Sequence, residues 1–192
     1  MGSDNIGANI RNAVKVLQQT YENINRLFNT MDTVGSEEGY LSITPRFLRW
    51  KSDVEPSGWF IKDFIKLYQR DEDPELDNDS GLKDGPIYAV EINLEEQEPR
   101  IYLIKYTFDM DPAVWRRLPT VSDYRFYYDS TINDVLMELS EDGDINIAVP
   151  KDDKGSKTYN GIKEIRYTGF DLVSLNSRDK VKTMIFDELK KL

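Results

Sequence analysis

One stretch of the sequence decides the fold class: IYAVEINLEEQEPRIYLIKYTF, residues 87–108. It holds two runs rich in β-branched and aromatic residues, Ile87–Leu94 and Arg100–Phe108, separated by the short acidic segment Glu95–Pro99. Two such runs joined by a short polar turn are typical of a β-hairpin. Apolar side chains occupy both sets of alternating positions in the second run, so we expect this strand to be covered on both faces and to lie centrally in a sheet.

Similar short runs lie on both sides of this hairpin. They are rich in aromatic and β-branched residues and are joined by polar turns, which favours a mainly antiparallel sheet of five or more strands. The apolar spacing in one of them, Trp59–Tyr68, also suits a helix. The further predicted strands are Tyr40–Ile43, Phe47–Lys51, Trp59–Tyr68, Tyr124–Tyr128, Ile145–Val149 and Lys163–Tyr167.

A long amphipathic helix is predicted over residues 6–30. Ile6, Ile10 and Val14 begin an apolar stripe that continues at helical spacing to Met31, while Asn, Gln, Lys and Arg occupy the opposite face. The spacing resembles that of a coiled coil, so the stripe suits either packing on the sheet or association with a second copy as a homo-oligomer. We favour packing on the sheet.

A C-terminal helix is predicted over residues 178–191 and a short one over Thr131–Leu139, whereas residues 151–161 have the composition of a polar loop. With helices at both ends and strands between them, the sequence predicts a single α+β domain over residues 1–192. In this domain the N-terminal and C-terminal helices pack on one antiparallel sheet, and an acidic loop extends over about residues 71–86.

The composition restricts the chemistry. The chain has 192 residues, of which 39% are hydrophobic and 31% charged, as in an ordinary globular protein. It contains no cysteine and no histidine, which excludes disulfides, thiolate or imidazole metal sites, and Ser-His or Cys-His nucleophiles. We expect a cytoplasmic protein with no cofactor, no signal peptide and no membrane association, and a binding protein rather than an enzyme.

The net charge of −10 belongs to one segment. Between Asp71 and Glu98 there are eleven acids and a single base, Lys83, and the rest of the chain has equal numbers of acids and bases. A surface without a basic stripe makes nucleic acid an improbable partner. The leading hypothesis is a non-catalytic binding or regulatory module, such as an inhibitor or immunity protein, whose acidic segment 71–98 docks a basic protein.

The residues expected to form the docking surface alternate through the loop, for which only Leu76, Leu82 and the following Ile87 offer apolar anchors. This loop has the composition of a solvated, mobile segment. Carboxylates at every second position could also surround a calcium ion, but the glycine and glutamate that an EF-hand loop requires are missing at every starting position. The predicted partner-binding residues are Asp71, Asp73, Glu75, Asp77 and Asp79.

Two alternatives belong to other classes of protein. The first is a carboxylate-dependent Mg²⁺ or Ca²⁺ enzyme, a phosphoesterase or a nuclease, in which Glu91, Asp79 and Asp84 would hold the metal. The triplet from Glu91 to Asn93 lacks the lysine of a nuclease Glu-x-Lys motif, so we expect Glu91 to lie at an edge or to face solvent. The second is a structural subunit of an oligomer.

Overall fold

The computed structural model describes residues 3–48, 56–126 and 135–192. Within them a seven-stranded sheet, antiparallel at every pairing, confirms the predicted α+β class. The order across the sheet is β1-β2-β3-β4-β7-β6-β5. The strands are β1 (Tyr40–Ser42), β2 (Asp63–Arg70), β3 (Ile87–Asn93), β4 (Arg100–Phe108), β5 (Met137–Asp142), β6 (Ile145–Pro150) and β7 (Ile162–Asp171).

The hairpin predicted from residues 87–108 is β3 and β4. Ile87 pairs with Tyr106 and Asn93 with Arg100, which leaves residues 94–99 as the hairpin tip. β4 lies between β3 and β7 in the middle of the sheet, so its predicted central position is confirmed. The side chains on both of its faces are covered, because a layer of buried apolar side chains lies on each face of the sheet.

Two long helical segments lie on one face of this sheet, and a short helix, α2 (Asp153–Thr158), follows β6. α1 (Ser3–Glu37) has 35 residues and ends before Gly39, whose φ of 78° turns the chain into β1. The C-terminal helix consists of α3 (Arg178–Val181), a π-helical turn (Lys182–Phe186) and α4 (Asp187–Leu189). None of the described helices is both long and apolar enough to cross a bilayer.

Each face of the sheet has its own layer of buried apolar side chains. Under the helices these include Ile24, Phe28, Met31, Tyr68, Val90, Ile101, Leu103, Ile185 and Phe186. On the other face the covering side chains come from loops rather than helices. This second layer includes Ile65, Leu67, Ile87, Ala89, Ile104, Tyr106 and Phe108, packed beneath Leu76, Leu82, Trp115 and Phe126.

Four predicted strands agree with the structure to within one residue at either end, and the predicted Lys163–Tyr167 extends to Ile162–Asp171. Two other predicted strands differ more. Of Phe47–Lys51, Leu48 forms an isolated bridge to Phe64, and residues 49–51 lie outside the described residues. In place of Trp59–Tyr68, the strand is Asp63–Arg70. Its six central residues are all buried, because both faces of this part of the sheet are covered. A strand buried on both faces loses the alternation that would separate it from a helix.

The predicted strand Tyr124–Tyr128 is wrong for the residues that the structure describes. Tyr124–Phe126 forms a 3₁₀ turn, and residues 127 and 128 lie outside the described residues. Phe126 is 1% exposed and its ring lies edge-on to those of Tyr106 and Phe108. Phe126 therefore covers the sheet from a loop. Aromatic content alone does not distinguish a loop residue that covers a sheet from a residue within a strand.

The predicted helix Thr131–Leu139 is also wrong for those of its residues that the structure describes. Residues 131–134 lie outside the described residues, and the chain from Met137 onward is β5, paired with β6. Gly143, with a φ of 62°, closes this hairpin. The loop predicted over residues 151–161 contains α2, whose N-terminus is capped by Asp152, which accepts a hydrogen bond from the Gly155 amide at 2.9 Å.

Candidate functional site

The acidic loop, residues 71–86, connects β2 to β3 and is held together by its own backbone hydrogen bonds. The Leu76 amide donates to the Leu82 carbonyl at 2.9 Å, and the Asp84 amide donates to the Pro74 carbonyl at 2.7 Å. Leu76 is 4% exposed, Leu82 1% and Ile87 0%, so all three predicted anchors are buried in one core layer of the sheet. The loop is therefore attached through its apolar side chains, while most of its carboxylates are exposed.

Two amide side chains add polar anchors that the sequence did not indicate. Gln69, 0% exposed on β2, donates from Nε2 to the Lys83 carbonyl at 2.9 Å and accepts from the Lys83 amide at 2.9 Å. Asn78 donates from Nδ2 to the carbonyls of Pro112, at 3.0 Å, and Trp115, at 2.9 Å. Because these partners are distant in sequence, no local pattern points to them.

The five predicted docking residues lie in this one loop, but they are not equivalent. Asp71, Glu75, Asp77 and Asp79 are exposed, whereas Asp73 is half-buried. One carboxylate oxygen of Asp73 is buried without a hydrogen bond, and a Cβ placed on Gly85 would lie 2.2 Å from it. Burial raises the pKa of Asp73, and the charge of Glu72 adds to the rise. Asp73 is therefore part of the loop's packing rather than of its outer surface.

Part of the loop's charge is neutralised within the loop. Lys83 lies 2.7 Å from Glu75 and 4.0 Å from Asp71, and the hydrogen bond with Glu75 is the main cause of the raised pKa of Lys83. Arg70 pairs with Glu72 at 2.7 Å. The ion pairs of the described residues involve none of three exposed carboxylates of the loop, Asp77 and Asp79 at its outer end and Asp84 nearer its base.

The rest of the segment 71–98 lies elsewhere. β3 separates the acidic loop from the hairpin tip at residues 94–99 by about 20 Å, the length of a seven-residue strand. Glu95 in that tip pairs with Lys62. Glu91 is 7% exposed on β3, next to Ile65 on one neighbouring strand and Tyr102 on the other, so the expectation of an edge or solvent-facing position is wrong. The acidic segment is thus divided between two ends of the sheet.

The alternative hypothesis, a metal-dependent enzyme, requires a cluster of acidic side chains. The part of the chain that the structure describes contains no such cluster. Asp79 and Asp84 lie in the acidic loop, and Glu91 lies within the sheet. Over residues 3–48, 56–126 and 135–192, no three acidic side chains come together as a metal ion would require. The three residues assigned to the metal are therefore not assembled into a site here.

A second exposed feature is the first half of α1. From Ile24 onward the apolar stripe is buried on the sheet, which agrees with the predicted packing. Ile6, Ile10 and Val14 continue the stripe and are 60%, 61% and 60% exposed. The Tyr21 hydroxyl, which donates to the Ile61 carbonyl at 2.9 Å, marks the point where the helix leaves the body.

Comparison of the chain with protein-family models, with curated proteins and with solved structures finds no match.

Proposed function

We propose that this protein is a cytoplasmic, non-catalytic binding module that docks a basic protein through its acidic loop. The observation that carries the proposal is the exposed, unpaired trio Asp77, Asp79 and Asp84 on a loop whose backbone is held by buried anchors, Leu76 and Leu82. A charged surface that is already ordered loses little conformational entropy on binding. An ordered acidic surface is therefore better suited to specific docking than a disordered acidic tail.

The physics resembles that of small acidic inhibitors of basic nucleases and toxins. Complementary fields accelerate the encounter of two proteins and suppress wrong partners. Because these charges are exposed, the association rate falls as ionic strength rises. The absence of histidine and cysteine supports a binding role over acid-base or nucleophilic catalysis.

The test is charge reversal at the outer end of the loop. The variant Asp77→Lys/Asp79→Lys changes two exposed carboxylates and leaves the anchors Gln69 and Asn78 intact. Immobilised wild type and variant are used to capture proteins from cell lysate at low and moderate salt, and captured proteins are identified by mass spectrometry. We expect the variant to lose a basic protein that the wild type retains, and that protein to associate with the wild type at a rate that falls with salt.

A matched control makes the same change of charge elsewhere. Glu98 and Glu141 are exposed and lie outside the acidic loop. The variant Glu98→Lys/Glu141→Lys should capture the same basic protein as the wild type. Equal capture by wild type and by both variants would refute the docking proposal, and equal loss in both variants would assign the effect to net charge rather than to the loop.

A structural role is a second candidate function, and one observation favours it. The stripe on the first half of α1 is apolar and exposed, which is unusual for a helix that packs only on its own sheet. In this role α1 joins copies of the chain into a homo-oligomer. The two roles use different surfaces and are compatible.

A further inference from the structure

The first half of α1 projects beyond the sheet as an isolated helix. We call residues 3–20 the overhang; it is about 27 Å long at the rise of an α-helix. Its apolar stripe continues the stripe that is buried from Ile24 onward, so it points to the same side as the sheet but past the sheet's end. Among the described residues, the hydrogen bonds from α1 to other parts of the chain begin at Tyr21, which bonds to Ile61, and include that of Glu37 with Arg178 of the C-terminal helix.

The overhang has weak intrinsic helical stability. It contains Gly7, several asparagines and β-branched residues, all poorer helix formers than alanine or leucine. From residue 5 to residue 20 its only charges are those of Arg11 and Lys15, so no ion pair between successive turns supports it. The packed second half of α1 nucleates the overhang, but the overhang has no packing of its own apolar face within the described chain. A partner for this face would stabilise the helical segment further.

The charge distribution favours one direction of association between two copies of the chain. The overhang has two bases and one acid, whereas the remainder of the chain is strongly acidic. The acidic loop lies at the opposite end of α1, where the Asp71 amide donates to the Gly39 carbonyl at 2.9 Å. Two antiparallel overhangs would place the acidic loops of the two copies at the far ends of the assembly. A parallel pair would bring the two acidic bodies side by side.

We infer that two copies of this protein associate through their overhangs as an antiparallel helix pair. The inference rests on the second proposed function and does not depend on whether the acidic loop docks a partner. Ile6 of one copy lies beside Leu17 of the other, and Ile10 lies beside Ala13, whose small side chain permits close approach. These contacts follow the coiled-coil spacing, in which positions 10 and 17 face positions 13 and 6 of an antiparallel partner.

The base of each overhang offers further apolar surface to the partner. Trp59 and Phe60 are 66% and 55% exposed and directly precede Ile61, which is bonded to Tyr21. Covering the stripe and these two rings removes roughly 600 Å² per copy, which approaches the roughly 800 Å² of a standard protein interface. The free end of each overhang thus packs against the body of the other copy.

Analytical ultracentrifugation of the full chain tests the association. We expect the mass to rise from 22.4 kDa towards twice that value with concentration in the micromolar range. Ile10→Glu should raise the dimer dissociation constant about 100-fold, because each dimer would bury two carboxylates. The matched control Asn12→Glu adds the same charge on the exposed polar face of the same turn and should change the dissociation constant less than threefold.

Cysteine cross-linking tests the direction, since the natural chain contains no cysteine. An equimolar mixture of the variants Ile6→Cys and Leu17→Cys should form a disulfide between the two different chains. Ile6→Cys alone should not, because in an antiparallel pair the two copies of residue 6 lie about 16 Å apart along the axis, beyond disulfide reach.

Three results would overturn the inference. A monomer at all concentrations would remove both the antiparallel pair and the structural role of α1. A dimer equally insensitive to Ile10→Glu and Asn12→Glu would place the interface elsewhere. Efficient cross-linking of Ile6→Cys with itself would establish a parallel pair, which contradicts the inference but retains the structural role. Each result leaves the docking test of the acidic loop unchanged.

Discussion

Lys66 on β2 and Asp32 on α1 form an ion pair beneath the helix, with Lys66 Nζ 2.7 Å from Asp32 Oδ2. The Lys66 side chain is 5% exposed and that of Asp32 is 38% exposed. Lys66 also donates to Ser42 Oγ and the Thr44 carbonyl, both at 3.2 Å, and the Tyr68 hydroxyl donates to Asp32 Oδ1 at 3.0 Å. These bonds fix the second half of α1 to the sheet and thereby set the direction of its first half.

The two halves of this ion pair should respond differently to substitution. Asp32→Ala leaves an ammonium buried without its counter-ion and should lower the free energy of unfolding by about 2–3 kcal/mol. Lys66→Met fills the same volume with an apolar side chain and leaves a carboxylate that water can reach, so its cost should be below about 1.5 kcal/mol. Urea unfolding at pH 7 compares them, and equal losses in both variants would contradict this account.

Glu38 should make stability depend on acid pH. It follows α1 and accepts hydrogen bonds from Lys182 and Lys190 of the C-terminal helix, which lower its pKa from 4.5 to about 2. A carboxyl whose pKa is lower in the folded state contributes stability above its unfolded pKa and loses it as the pH falls. The difference in unfolding free energy between wild type and Glu38→Gln should therefore be constant above about pH 5 and disappear between pH 4.5 and about 2.

Glu37 supplies the control for this measurement. Its carboxylate pairs with Arg178, and both side chains are more than half exposed, at 57% and 55%. Exposed ion pairs contribute little to stability, so Glu37→Gln should change the free energy of unfolding by less than about 1 kcal/mol. Equal pH profiles for the two variants would show that Glu38 is not the residue responsible.

Asn78 should control the order of the acidic loop. Asn78→Ala removes its bonds to the Pro112 and Trp115 carbonyls and the bond that Asn78 Oδ1 accepts from the Ser80 amide at 2.9 Å. We expect faster hydrogen exchange at the Ser80 and Leu82 amides and a loss of about 1–2 kcal/mol in unfolding free energy. Asp77→Ala, at the neighbouring exposed position, should leave exchange unchanged. Unchanged exchange in Asn78→Ala would show that the leucines and Gln69 hold the loop without Asn78.

Two glycines of α1 should respond in opposite directions to alanine. A Cβ at Gly35 would lie 2.8 Å from Phe186 Cζ, so Gly35→Ala should cost about 1–3 kcal/mol through overpacking. No atom lies within 4 Å of a Cβ at Gly7, so Gly7→Ala should stabilise the helix by up to about 1 kcal/mol. Circular dichroism and urea unfolding measure both effects. A loss of helix in Gly7→Ala would contradict the helical form of the overhang.

Much of the fold could be predicted because its signals are local. The hairpin at residues 87–108 combines two strand-like runs with a short turn, and the helical spacing from Ile6 to Met31 covers most of α1. The errors occur where a local pattern fits two structures. The spacing in Thr131–Leu139 suits a helix, but from Met137 the pairing with β6 satisfies the backbone as a strand.

The candidate site, too, has features that the sequence predicts and features that it does not. Its charge and its leucine anchors are visible in the sequence between Asp71 and Pro86. The contribution of Gln69 and Asn78 is not visible, because the carbonyls that they bind come from other parts of the chain. The separation of the loop acids from Glu91 and Glu95 also depends on how β3 lies in the sheet.

Local sequence patterns are sufficient to predict the α+β class, the two terminal helices, the central hairpin and the position of the negative charge along the chain. These features follow from periodicity, turn composition and charge, which are properties of neighbouring residues. The acids that share a surface, and the half of α1 that is left uncovered, depend instead on how the chain packs. Both depend on contacts between distant segments: the sheet covers α1 from Ile24 onward, and no other described element covers Ile6, Ile10 and Val14.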